Sequence, residues 1–99
     1  MPVKILESAH NDIVDGWFFY DRQQHGLGDY FSDTIYSEIE SLTLYAGIHP
    51  RRNGFFRALV KRFPYAIYYD IEDGEANVYA ILDMRRDPDW IIAHLETLR

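Results

Sequence analysis

Apolar and polar positions alternate with two different periods along this chain, and the change of period divides it. From Ala9 onward Ala9, Ile13, Trp17 and Tyr20 recur at helical spacing, with Val14 and Phe18 widening the stripe. That is one face of an amphipathic helix, and it places Trp17 between the helix and the sheet. Ser8 is the expected N-cap and Gly26 the expected C-terminal stop. Gly16 inside the helix marks a close contact, because glycine there costs about 1 kcal/mol relative to alanine. Leu27-Gly28 reads as a tight corner, and a second helix starts near Asp29. Phe31, Ile35, Ile39 and Leu42 form its buried stripe, while Asp33, Glu38 and Glu40 stay in water; Gly47 and Pro50 finish it. Two helices joined by so few residues must form an antiparallel hairpin.

Beyond Pro50 the period falls to two. Phe56 to Phe63 reads as a strand with Phe56, Ala58 and Val60 on one side and Arg57, Leu59 and Lys61 on the other. Pro64 cannot donate a ladder hydrogen bond, so it opens a new strand in which Tyr65, Ile67, Tyr69 and Ile71 alternate. Glu72-Asp73-Gly74-Glu75 is a hairpin turn, since Asp-Gly supplies the positive φ angles of a tight reversal. The return strand puts Ala76, Val78, Ala80, Leu82 and Met84 on one face and Asn77, Tyr79, Ile81 and Asp83 on the other. Asp87 then caps a last helix with Pro88 at its first position. That helix buries Trp90 or Ile91, Leu95 and Leu98. With Val3 to Leu6 as an opening strand, the order is strand, helix, helix, three strands, helix. This predicts an α+β domain spanning residues 1–99, its helices packed on one face of an antiparallel sheet.

Charge changes the picture more by its placement than by its sum of −6. Residues 1–50 hold eight acids against Lys4 and Arg22 as the only strong bases. Residues 41–69 hold no acid at all, but carry Arg51, Arg52, Arg57, Lys61 and Arg62. A nonspecific nucleic-acid binder is expected to be basic throughout, because affinity grows with the phosphates neutralised. A basic patch on an acidic body suits a local contact with an acidic partner, or simply solvates the surface. The strand face with Arg57, Leu59 and Lys61, near Tyr68, Tyr79, Ile81 and Asp83, has the groups to bind a phosphate backbone and stack a base. The preferred reading is that Leu59, Ile81 and the tyrosines are covered by the last helix or by a partner.

Other chemistry is poorly supplied. The chain has no cysteine, which excludes thiol catalysis, thiolate metal sites and disulfides. His10, His25, His49 and His94 are scattered without ligand spacing, so no metal is expected. Ser8, Ser32, Ser37 and Ser41 lack the context of an activated nucleophile. Asp70, Glu72, Asp73 and Glu75 lack the pattern of a calcium loop. With no run of 18 apolar residues and no leader pattern, a cytoplasmic protein away from membranes is expected. No cofactor is called for.

The segment FRALVKRFPYAIYYDIEDGEANVYAILDMRRDP resembles the signature of the RelE/ParE superfamily of bacterial toxin–antitoxin toxins. The resemblance rests on Arg57 early in the first meander strand, on Phe63-Pro64-Tyr65 at a strand opening, and on Arg86-Asp87-Pro88 at the last turn. Upstream it includes Gly26-Leu27-Gly28 followed by Phe31. It implies the RelE/ParE-like toxin fold and a type II toxin–antitoxin, or plasmid stabilisation, system. The partner would be a cognate antitoxin in a hetero-oligomer. Through the ParE branch the target would be DNA gyrase.

The alternative is a RelE-like, ribosome-dependent mRNA endonuclease with Arg57, Lys61 and Arg86 around the scissile phosphate; a third reading is a non-toxic, toxin-derived binding module. Asp83 stands where many members have His, and with a reference pKa near about 3.9 it is a poor general acid at neutral pH. The partner-binding residues expected are Arg57, Leu59, Lys61, Tyr68, Tyr79, Ile81 and Arg85.

Overall fold

The computed structural model describes residues 1–99. Its elements are β1 (Val3–Ile5), α1 (Glu7–Gln23), α2 (Leu27–Tyr45), β2 (Arg51–Arg52), β3 (Phe55–Leu59), β4 (Tyr65–Glu72), β5 (Glu75–Asp83) and α3 (Pro88–Glu96). The strands form one sheet in the order β1-β5-β4-β3-β2. From β2 to β5 neighbours are antiparallel, while β1 lies parallel to β5, Val3 opposite Ala76 and Ile5 opposite Val78. The α+β class and the order of elements are those the periodicity predicts, with two additions. A two-residue strand of exposed arginines is too short to show a period, and β1 makes the sheet mixed. No helix is long and apolar enough to cross a membrane.

The helical hairpin is built around Phe31. Its ring lies 5.0 Å from that of Tyr20, 5.2 Å from Phe63 and 4.9 Å from Tyr65. Gly16 makes room for it: a Cβ there would sit 2.4 Å from the Phe31 ring edge. The close contact inferred from a mid-helix glycine is therefore helix on helix.

Trp17, expected between α1 and the sheet, is only half-buried. Its ring lies against Gly28, where a Cβ would come within 2.8 Å of it, and its Nε1 donates to Asp29 Oδ1 at 2.9 Å. It fastens the start of α2 rather than filling the core, because Gly16 and Tyr20 take the inward positions. The hairpin loop is also tighter than the sequence implies. Gly26 (φ +92°) stands at the N-cap of α2, and Leu27-Gly28 form the first helical turn. Asp21 Oδ1 accepts from the N–H groups of Gly26 and Gly28 at 2.9 and 3.2 Å, which satisfies donors a helix start leaves free. Ser8 is not a cap: α1 begins at Glu7, and Ser8 Oγ donates to the Tyr79 carbonyl at 2.6 Å.

The sheet departs from simple alternation at one residue. Tyr69 is opposite Val78 but Tyr68 is opposite Ala80, so Tyr79 is an extra residue in β5. A bulge of this kind shifts every later side chain to the other face. Ala76 and Val78 pack against the hairpin as expected, but Ala80 and Leu82 turn to the opposite face, and Ile81 turns inward. That opposite face is not left to water. Ile91 and Leu95 of α3 cover Phe55, Ala66, Tyr68, Ala80 and Leu82 as a second core. Helices thus flank both faces of the sheet, not one. Asp87 caps α3 by accepting from Asp89 N–H, with Pro88 first in the helix. β3 ends at Leu59 rather than Phe63: Val60 N–H makes a last bond to the Tyr65 carbonyl, and Arg62 takes a positive φ of 72° in the bend that follows.

These contacts rank the core. Phe31→Ala is expected to cost about 3–5 kcal/mol, while Trp17→Ala costs about 1–2 kcal/mol, the range for a partly buried ring and one hydrogen bond. Gly16→Ala should also lower stability, since its methyl meets the Phe31 ring. Urea unfolding of the three variants checks the order; a Trp17 variant as damaged as the Phe31 variant would contradict it.

Candidate functional site

The edge of the sheet at β3 is only partly covered. β2 pairs with Phe55 and Phe56 alone, and Arg57 N–H donates to the Pro50 carbonyl at 2.9 Å before the pairing stops. On the inner side Val60 N–H donates to the Tyr65 carbonyl. Alternation therefore turns the backbone of Leu59 outward, where no strand lies beside it. The Leu59 side chain is 61% exposed. Arg57 is half-buried opposite Tyr68, with its Nε buried and without a hydrogen-bond partner. Lys61 follows just beyond the strand, exposed. An apolar side chain, two cations and free backbone thus share one edge.

The other expected contact residues lie elsewhere. Tyr68, 1% exposed, lies under α3; burial raises the pKa of its hydroxyl, partly offset by Arg57. Ile81, 2% exposed, belongs to the hairpin core because of the bulge. Neither is available to a partner in this fold. Tyr79 is half-buried against Phe55, and its hydroxyl donates to Glu72 at 2.6 Å. Arg85 is held by Asp83 through two hydrogen bonds of 3.0 and 2.7 Å. Those bonds hold the Asp83 carboxyl below the usual carboxylate range, so it is ionised at neutral pH.

The basic residues do not gather into one patch. Arg51 pairs with Asp70 at 3.2 Å and lies over the Phe56 ring. Lys61 and Arg62 line a cleft of about 340 Å³ with Tyr30, Asp33 and Glu38, and Arg62 donates to the Tyr30 hydroxyl at 2.9 Å. Arg86 lies on the ring of Trp90, 3.5 Å from its centroid, in a different cleft. Arg57, Lys61 and Arg86, the set named for phosphodiester cleavage, are therefore not brought around a common point.

That second cleft, about 320 Å³, is absent from the sequence reading. It is lined by Asp12, Asp15, Gly16 and Phe19 of α1, Tyr65 of β4, Ile81 to Asp83 of β5, and Arg86 and Trp90. Asp12 Oδ2 accepts from Ile81 N–H at 2.9 Å. Burial pushes the Asp12 carboxyl up to about 6; the Ile81 N–H works against this, Asp15 adds to it, and Arg86 opposes it. The clue available beforehand was length: an opening strand of a few residues cannot cover a nine-residue partner, so the next helix must supply groups for the remaining edge.

No family model and no curated protein matches this chain. Among solved structures it is similar to a chain of the "Chromosomal ParDE TA system from P. aeruginosa", with a TM-score of 0.78 and 16% sequence identity. The match covers 86% of this chain and 97% of that one. The two share a fold, and the ParE-like architecture implied by the Arg57, Phe63-Pro64-Tyr65 and Arg86-Asp87-Pro88 pattern is the one observed.

Asp12 makes stability depend on pH in an unusual direction. A carboxyl with its folded pKa raised favours the folded state when protonated. Its contribution is complete below about pH 4 and is lost as pH rises through about 6. A shift of that size would be worth about 3 kcal/mol for a fully buried group; solvent contact reduces it to about 1–2 kcal/mol. Asp12→Asn keeps an acceptor for Ile81 N–H and removes the charge. It should exceed the wild type in stability at pH 7–8 by about 1–2 kcal/mol, with the difference gone at pH 4. Denaturant unfolding at a series of pH values checks this, and a pH-independent difference would contradict it.

Proposed function

We propose that this chain is the toxin of a type II toxin–antitoxin system, of the ParE kind, acting on DNA gyrase in the cytoplasm and neutralised by a cognate antitoxin. The fold it shares with a chain of a ParDE TA system supports the system type. The partly open β3 edge is the observation that carries the antitoxin contact. An extended segment laid along it can bond the outward backbone of Leu59, as strands added to sheet edges do. Aliphatic anchors on that segment would cover Leu59 and supply most of the affinity. Acidic residues between them would meet Arg57 and Lys61, setting register and speeding association.

Gyrase is favoured over mRNA as the target by the state of the polar groups. A nuclease needs a base, an acid and a cation around one phosphate. Asp83 is ionised and occupied by Arg85, and Lys61 and Arg86 line separate clefts. A net charge of −6 also disfavours docking on ribosomal RNA.

Two measurements test this reading. The purified chain should block DNA supercoiling by gyrase and leave mRNA on translating ribosomes intact; codon-positioned cuts that vanish in Arg57→Ala would establish the nuclease instead. Arg57→Glu combined with Lys61→Glu should weaken antitoxin binding at least about tenfold at low salt, partly through slower association. A folded double variant with unchanged affinity and salt dependence would remove the β3 edge from the antitoxin contact.

A further inference from the structure

The sheet's other edge ends differently. β1 pairs with only Ala76 to Val78 of β5, and Leu6 N–H adds one bond to the Val78 carbonyl. β5 runs on to Asp83 with no strand beside it. α1 supplies substitutes: Ser8 Oγ donates to the Tyr79 carbonyl, and Asp12 Oδ2 accepts from Ile81 N–H. With these backbone groups taken, the edge is a poor template for another strand. What it offers instead is the cleft between α1 and α3.

The charges of this cleft do not cancel one another. Asp83 is committed to Arg85. Arg86 lies flat on Trp90. Asp12 uses one oxygen for Ile81, while its other oxygen and the Asp15 carboxylate accept no hydrogen bond from the protein. Two carboxylates, Asp12 and Asp15, thus stand in the cleft against the single guanidinium of Arg86. No three metal-ligating side chains converge anywhere in the chain. Beside these carboxylates stands Phe19, 46% exposed; Arg86 and His94 already stack on the Trp90 ring. Carboxylates next to one exposed ring, that of Phe19, match a guanidinium, which is planar, weakly hydrated, bonds two acceptors at once and stacks on rings. About 320 Å³ lies at the small end of ligand pockets and suits one long side chain.

The geometry points to a second docking site: the cleft between α1 and α3 receives one arginine side chain from a protein partner, its guanidinium on Asp12 and Asp15 and its stem against Phe19. This site lies across the sheet from the β3 edge and is opposite to it in polarity. It does not depend on gyrase being the target.

An NMR titration of the isotopically labelled chain tests it. The probe is a capped five-residue peptide with a central arginine among glycines and alanines. Saturable shifts should centre on the Ile81 amide and the Trp90 indole. The same peptide with citrulline, neutral and nearly isosteric, should bind at least tenfold more weakly, as should the arginine peptide to Asp12→Asn. Glu40→Gln, an exposed α2 position outside the cleft, should bind like the wild type. Absent saturation, shifts centred on α2, equal binding of citrulline, or an Asp12→Asn chain that binds normally would overturn the proposal. So would arginine amide binding as tightly as the peptide, since the cleft would then serve a free small cation rather than a partner segment.

Discussion

One extra residue in β5 decides what this sheet hides and what it shows. With Tyr79 bulged, Ala76 and Val78 face the helical hairpin while Ala80 and Leu82 face α3. Both faces thereby acquire enough apolar surface to hold a helix layer, and each layer excludes water from one side of β4. That strand is accordingly buried from Tyr65 through Tyr69 without a break. A straight β5 would present Ile81 to α3 and Leu82 to the hairpin, reversing the packing of the last third of the strand. The local twist that accompanies a bulge coincides with the point where β1 has ended and α1 side chains take over the edge.

The hairpin and the meander were legible because their signals are long: helical stripes over about three turns, an Asp-Gly turn, and an Asp-Pro helix start. The faces were legible only up to the bulge. Period-two reading has no way to count an unpaired residue, so it puts Ile81 on the face of Arg57 and Leu59, whereas the bulge turns it into the hairpin core; Tyr68, on β4, keeps its expected face and is buried there by α3. Trp17 misled for a related reason. It sits on the apolar stripe, but Gly16 one residue earlier takes the inward position, and Phe31 fills the space that the absent Cβ leaves. The Asp12 cleft could not be read as a motif because its members come from α1, β4, β5 and the turn into α3. The resemblance in the segment from Phe56 to Pro88 was the more durable signal, because it depends on turns and strand openings rather than on face assignment.

Since both faces are covered by helices, the surfaces left to partners are chiefly the edges. The β3 edge combines free backbone, Leu59, Arg57 and Lys61; the β5 edge has its backbone satisfied by Ser8 and Asp12 and carries carboxylates and aromatic rings. The dipolar distribution of charge seen along the chain thus becomes a difference between two edges. The acids of the first half remain on α1 and α2, while Arg51 and Arg62 are drawn into local contacts with Asp70 and Tyr30. A net charge of −6 does not describe either edge.

Whether a dedicated partner holds a toxic chain in check can be read from bacterial growth. The chain would be placed under an inducible promoter in a bacterium, alone and together with each small open reading frame found beside its gene. Expressed alone, the chain should stop growth with filamentation and DNA damage, and co-expression of its antitoxin should restore growth. Unimpaired growth with the folded chain accumulating in the cell would contradict this.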